Sequence, residues 1–355
     1  MKNKIEITSR PYKYLSFSVK TNSIVILSFL TLQVLLLFFT RSWANLILIF
    51  STTFATCAVE LIEFFNRDKK NCYNFITAAI QGILTGLFLP STFPFYAAFF
   101  ATFFVFFSCR FFIARYADNW INLPALTVAL CWILGETLFP SFELSSEILF
   151  SKNPSLFLIQ NGTFPMIDAD PKITSFLNKT VFSLFGVSIP DGYVSLFWDT
   201  HSTIAAFRFN FITLISSLIL FSFDVIKILI PGIFVLTYAI LIYFILPLFY
   251  ASPTHGDLFL AFCTSGFLMA CLFLLQMAGT TPMTNLGKSL YAVIAGICAF
   301  LIVGAGTSPS GIVFTILFMN AVSPLIQYAE YFFEIKRVKK QLQENSAQLK
   351  DGNNA

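Results

Sequence analysis

Hydrophobic positions along this chain come in long runs and not in alternation. Ten apolar stretches can be marked, near residues 22–40, 43–65, 73–90, 94–116, 121–140, 207–223, 228–250, 256–278, 287–305 and 309–333. Each is near the length a helix needs to cross roughly 30 Å of hydrocarbon. A helix satisfies its own backbone amides there, whereas a barrel needs short strands of alternating polarity, which these runs are not. The pattern predicts an all-α polytopic membrane protein with about ten transmembrane helices.

The polar remainder divides the chain. Residues 1–140 hold the first five runs behind a basic N-terminus, and 141–206 form the one long polar segment. Residues 207–333 hold the second five runs, and 334–355 are a polar tail. With the N-terminus inside, 17 of the 22 lysines and arginines fall on the inner face. Arg41, Lys152, Lys172, Lys179 and Arg208 are left outside. That bias satisfies the positive-inside rule. Both termini are then expected in the cytoplasm of a bacterial inner membrane, with 141–206 as an extracytoplasmic cap. The tail reads as a helix anchored at the inner membrane surface. The polar N-terminus lacks the cleavage site of a secretory signal.

Composition agrees with this picture and narrows the chemistry. The chain is 57% hydrophobic and 11% charged, with 46 phenylalanines and a mean hydropathy of +0.77. A soluble domain carries about a quarter charged residues. The seven cysteines form no CxxC and none lies in the long polar segment, so they read as small apolar groups. No P-loop, HExxH or nucleophile elbow is present, so no catalytic residue and no metal site is assigned. "GAGTSPSG" (304–311) joins two spans and reads as a turn. The partners expected are membrane lipid and other proteins, not nucleic acid.

The halves echo each other. "QGILTGLFLP" (81–90) in the third run matches "SGFLMACLFL" (265–274) in the eighth. "INLPALTVAL" (121–130) in the fifth matches "MNAVSPLIQY" (319–328) in the tenth. Motifs five spans apart predict two inverted five-helix repeats, which place a ligand or ion path near the midplane. The candidates there are Gly82, Thr85 and Gly86, with Gly266 as the counterpart of Gly82. They either let helices approach closely or line a cavity for a flat ligand or an ion. Asn122 before Pro124, and Asn320 before Pro324, either steady a kink or offer groups to an ion. Glu63 reads as a salt-bridged helix end, and Glu60, a turn deeper, as a residue on an ion pathway. "WDTHSTIAAF" (198–207), just before the sixth run, gathers Thr200, Ser202 and Thr203 around His201.

Over most of its length the chain resembles the RnfD/NqrB family, the flavin-bearing membrane subunits of Rnf-type and sodium-pumping electron-transport complexes. "TAAIQGILTGLFLP" (77–90) is similar to the family's Ser-Ala-Leu-Leu-Thr-Gly stretch, and "NWINLPAL" (119–126) to its Asn-Pro-Phe-Asn-Pro-Ala signature. The C-terminal run from residue 261 through "SPSGIVFTILFMNAVSPLI" (308–326) carries the likeness furthest. The resemblance implies a translocase subunit that acts only beside partner subunits, coupling electron transfer to movement of sodium ions or protons. It implies an FMN joined through its phosphate to a threonine in a Ser/Thr-Gly-Ala-Thr motif by a flavin transferase. Thr200-His201-Ser202-Thr203 falls at that place, making Thr203 the flavin-bearing residue with an exposed, flexibly presented hydroxyl. His201 and Ser202 stand where the family has glycine and alanine. By the same analogy a second, non-covalent flavin, riboflavin, would sit between helices. A channel or transporter for a small solute on the same inverted-repeat fold, and a scaffold subunit without flavin, are the alternatives.

Overall fold

A computed structural model describes residues 18–66, 73–113, 120–140, 166–249, 258–277, 279–304, 308 and 310–352. Residues 141–165 of the long polar segment lie outside this set. Helix α1 (Val19–Phe39) opens on Ser18, whose hydroxyl accepts the Thr21 N–H, and closes at Thr40. A tight turn with Arg41 at φ 56° leads into α2 (Trp43–Asn66). Then come α3 (Tyr73–Leu87), α4 (Phe95–Ser108) with a π-helical turn at Cys109–Ile113, and α5 (Leu123–Leu134). The polar segment contributes α6 (Asp170–Thr180) and the short α7 (Tyr193–Phe197). The second half runs through α8 (Asn210–Ser222) and α9 (Leu229–Ile240), which continues through a π turn. It ends with α10 (Leu258–Thr264), α11 (Phe267–Met269), α12 (Asn285–Val303) and α13 (Gly311–Gly352).

Each of the ten apolar runs contains helix. Among the described residues the backbone shows no strand, and an isolated antiparallel bridge joins Pro90 to Ile204. Five helices are long and apolar enough to cross a membrane by length and composition: α1, α2, α4 with its π turn, α12 and α13. Phe50, Phe54, Phe100, Phe104 and Leu301 stand exposed on them, as side chains that face lipid do.

The other runs depart from uniform spans, each for a local reason. The third stops at Leu87, ahead of Pro90, which cannot extend a helix. The fifth is α-helical over Leu123–Leu134, ends on Gly135 and adds a 3-10 turn at Glu136–Leu138. The eighth, expected as one span over 256–278, is broken at Ser265–Gly266 and resumes through α11 and a π turn at Ala270–Leu274. Gly266 has φ +64°, a left-handed backbone that only glycine adopts without strain.

Gly82 and Gly86 belong to a close helix–helix seam. A β-carbon at Gly82 would lie 2.5 Å from the Thr53 Cα, and one at Gly86 2.6 Å from the Ile49 Cα. Across this seam the Thr52 hydroxyl donates to the Gly82 carbonyl at 2.9 Å and the Thr56 hydroxyl to that of Ala78 at 2.8 Å. The Thr85 hydroxyl is turned back onto the Gln81 carbonyl of its own helix. The packing alternative therefore accounts for all three. Gly266 is not their structural counterpart, because it breaks a helix where Gly82 sits inside one. Elsewhere, α2 packs on α4 in the first half as α9 packs on α12 in the second, and α5 meets α13 across the halves.

Candidate functional site

The hydroxyl-rich turn is built by three fixings. Asp199 accepts the N–H of His201 at 2.7 Å and that of Ser202 at 3.2 Å, an Asx turn that reverses the chain after Trp198. Arg208 is buried and donates from Nε to the Ser202 carbonyl at 2.6 Å and from Nη1 to the Ser42 hydroxyl at 2.5 Å. The guanidinium thus joins this turn to the one between α1 and α2. The Ser91 N–H donates to the Thr203 carbonyl at 2.9 Å, beside the Pro90–Ile204 bridge. Phe207 closes the turn against Gly266, where a β-carbon would fall 2.7 Å from its ring.

This geometry corrects one expectation. Thr203 is half-buried, and its hydroxyl is shielded from solvent and has no hydrogen-bond partner. It is not exposed, because Arg208 holds the Ser202 carbonyl before it and the α3–α4 connection holds its own carbonyl and Ile204 after it. Thr200 and Ser202 are half-buried beside it, and His201 is the exposed member.

Burial raises the Asp199 carboxyl above the usual carboxylate range, against the opposing pull of the His201 and Ser202 N–H groups and the Arg208 charge. The folded turn then binds a proton more tightly than the unfolded chain does. Its protection is fullest below the ordinary carboxylate pKa and falls as pH rises through the raised value. Limited proteolysis at the turn is expected to quicken over that window in the wild type. Asp199→Asn, which keeps an acceptor for the turn, should show a flat profile.

Two asparagines hold the broken eighth run. Asn210, at the start of α8, donates to the carbonyls of Phe207 at 2.8 Å and Cys263 at 3.1 Å, just before the break. Asn122 caps α5 by accepting the Ala125 N–H and donates at 2.8 Å to the Leu274 carbonyl, where the π turn ends. Both are fully buried. Asn122 therefore ties two helices together, with its Oδ1 engaged by the Ala125 N–H and its Nδ2 by the Leu274 carbonyl. Asn210 escaped the sequence reading because it looks like an ordinary helix start.

Asn320 is different. It is buried in α13 and neither its Oδ1 nor its Nδ2 has a partner. Pro324 sits inside the same helix and has no N–H to give the Asn320 carbonyl. Side chain and backbone thus both leave polar capacity unused at one buried level, where an unpaired group is costly.

At the other end of α2, roughly 27 Å from Ser42 at 1.5 Å per residue, Arg110 pairs with Glu60 and Glu63. Glu60 is 1% exposed and the other two less than a fifth. Toward that end, where α1 and α3 begin, a cavity of about 380 Å³ opens between α1, α3, the α8–α9 connection and the π turn of the eighth run. Asn22, Gln81, Lys227 and Gln276 line it, and the Asn22 Oδ1, Gln81 Oε1 and Gln276 Nε2 atoms are buried without partners. The structure thus joins Thr203 to Gly266 through Phe207 at one end and separates both from Glu60.

These features define an all-α polytopic membrane protein whose eighth apolar run is interrupted and held by buried amides. A model of the NQR2, RnfD, RnfE family matches residues 6–333, and the chain belongs to that family. It is similar to a subunit of the ion-translocating oxidoreductase complex of Buchnera aphidicola subsp. Baizongia pistaciae, 24% identical over 74% of this chain and 78% of the relative. It is also similar to the corresponding subunit from Stutzerimonas stutzeri, 32% identical over 20% of each chain.

Proposed function

We propose that the chain is the flavin-carrying membrane subunit of a redox-driven, sodium- or proton-translocating oxidoreductase complex. It would sit in a bacterial inner membrane with both termini cytoplasmic. The observation that carries the reading is the Thr203 hydroxyl, unpartnered within a turn that Asp199 and Arg208 hold at the mouth of the interrupted run. A phosphoester there would fix an FMN at the membrane edge and replace a buried, unsatisfied hydroxyl with a bonded oxygen. Because the turn is closed, a flavin transferase must act before it docks, or must open it. The cavity lined by Gln81 and Gln276 falls in the size range of small-molecule pockets and offers both amide donors and acceptors. It suits a non-covalent flavin such as riboflavin. Asn320 and the Glu60 cluster are the residues best placed to meet a moving cation or proton. Partner subunits would supply the entry and exit of electrons.

One preparation tests both flavins. The protein is co-expressed with a flavin transferase, denatured, and separated into a gel band and a soluble extract. The wild-type band should fluoresce and the extract should contain free flavin. Thr203→Val should darken the band and leave the extract unchanged. A dark wild-type band would reject the covalent assignment, and a flavin-free extract beside it would favour a scaffold subunit.

A further inference from the structure

The polar segment contains an element that none of the roles above uses. Helix α6 is ordered by buried polar groups on its inner side. The Asp170 carboxylate accepts the Thr174 hydroxyl at 3.0 Å, the Gly192 N–H at 2.9 Å, the Ser195 N–H at 2.7 Å and the Ser195 hydroxyl at 2.6 Å. Asn178 exchanges two hydrogen bonds of 2.8 Å with the backbone of Ile189. These bonds fold the element back on α7, which in turn packs on α8 and α10.

The outward side of α6 and of the turn after it carries large apolar side chains among its polar ones. Phe176 is 65% exposed, Leu184 81% and Phe185 74%, with Ile173, Val181 and Val187 also uncovered. So many large apolar side chains on one short element are seldom left in water. Lys172 and Lys179 are exposed and, at i−4 and i+3 from Phe176, lie on its edge of the helix. Asp170 is consumed inside, so the exposed charges within α6 are both positive, while Asp168 and Asp191 lie beyond its ends. Arg208 joins the α1–α2 turn to this region, placing it at the end of the bundle that carries Trp43. Exposed tryptophan marks the interfacial level of a membrane protein.

We propose that α6 and the turn through Val187 lie in the membrane interface. The apolar side chains enter the acyl-chain boundary, and Lys172 and Lys179 reach anionic phospholipid headgroups. Exposed apolar side chains accompanied by lysines, with Asp170, Thr174 and Asn178 turned inward, are the arrangement of an interfacial helix. A protein interface would cover the same apolar residues but gives the paired lysines no reason to flank them.

The test uses the full-length protein in vesicles, with Leu184→Trp compared against the wild type. The added emission should be blue-shifted and quenched by lipids brominated high on the acyl chain. Quenching should strengthen when phosphatidylglycerol is mixed into phosphatidylcholine, and Lys172→Glu with Lys179→Glu should abolish that strengthening. Phe185→Trp serves as a second reporter should the first fail to fold. Red-shifted emission quenched by aqueous acrylamide in both lipid mixtures would overturn the proposal. Shielding that arises only when partner membrane subunits are added would overturn it too, in favour of a protein contact.

Discussion

Arg110→Leu is expected to lower stability by about 3–5 kcal/mol, the cost of leaving a buried charge without its partner. Arg110 lies in the π turn that extends α4 and meets both Glu60 and Glu63 of α2. Glu60 is almost wholly buried, so removing the guanidinium strands a carboxylate in apolar surroundings. Thermal unfolding in detergent reads the loss. Adding Glu60→Gln to Arg110→Leu should restore most of it, because the stranded charge is then gone. A double variant as unstable as the single one would show that the arginine acts by packing and not by charge.

Gly82→Val should be comparably damaging for a steric reason. Its β-carbon would meet the Thr53 backbone at 2.5 Å, and backbone cannot rotate away as a side chain can. Helices α2 and α3 must part, at about 1–3 kcal/mol for overpacking. The bonds from Thr52 and Thr56 across the seam are then stretched, at about 0.5–1.5 kcal/mol each. Gly232→Ala is the open-site control, since the nearest atom to its β-carbon is 3.8 Å away. It should unfold at or slightly above the wild-type midpoint, because alanine favours a helix over glycine. Equal midpoints for Gly82→Val and the control would mean that the seam yields without loss of packing.

The apolar runs were readable because lipid imposes one rule on every spanning segment, and hydropathy registers it. The break in the eighth run was not. "SGFLMACLFL" is continuous in hydropathy, and the left-handed backbone of Gly266 leaves no trace in composition. The two readings of Gly82 and Gly86 could be separated only by distances to α2, a helix whose contacting residues, Ile49 and Thr53, say nothing about partnership. The place of Thr203 in a turn just before the sixth apolar run was legible in the sequence. Its shielded hydroxyl was not, because the backbone carbonyl of the same residue is held by the N–H of Ser91, more than a hundred residues earlier. Arg208 counted only as one of the basic residues left outside, and it is the clamp between two turns. Gln81 and Gln276 drew no notice singly and matter because the fold brings their unpaired amides to one cavity.

Helix α13 runs unbroken from Gly311 to Gly352, 42 residues, with Pro324 inside it. At 1.5 Å per residue the portion beyond the proline is an arm of about 42 Å. Proline removes one rung of the hydrogen-bond ladder, so the helix bends more easily there than anywhere else along its length. A tilt of about 10° at that level carries the far end of such an arm about 7 Å. The unpaired amide of Asn320, one turn away, therefore sits at the fulcrum of a mechanical lever. Whatever occupies that buried level has leverage over the tail of the chain.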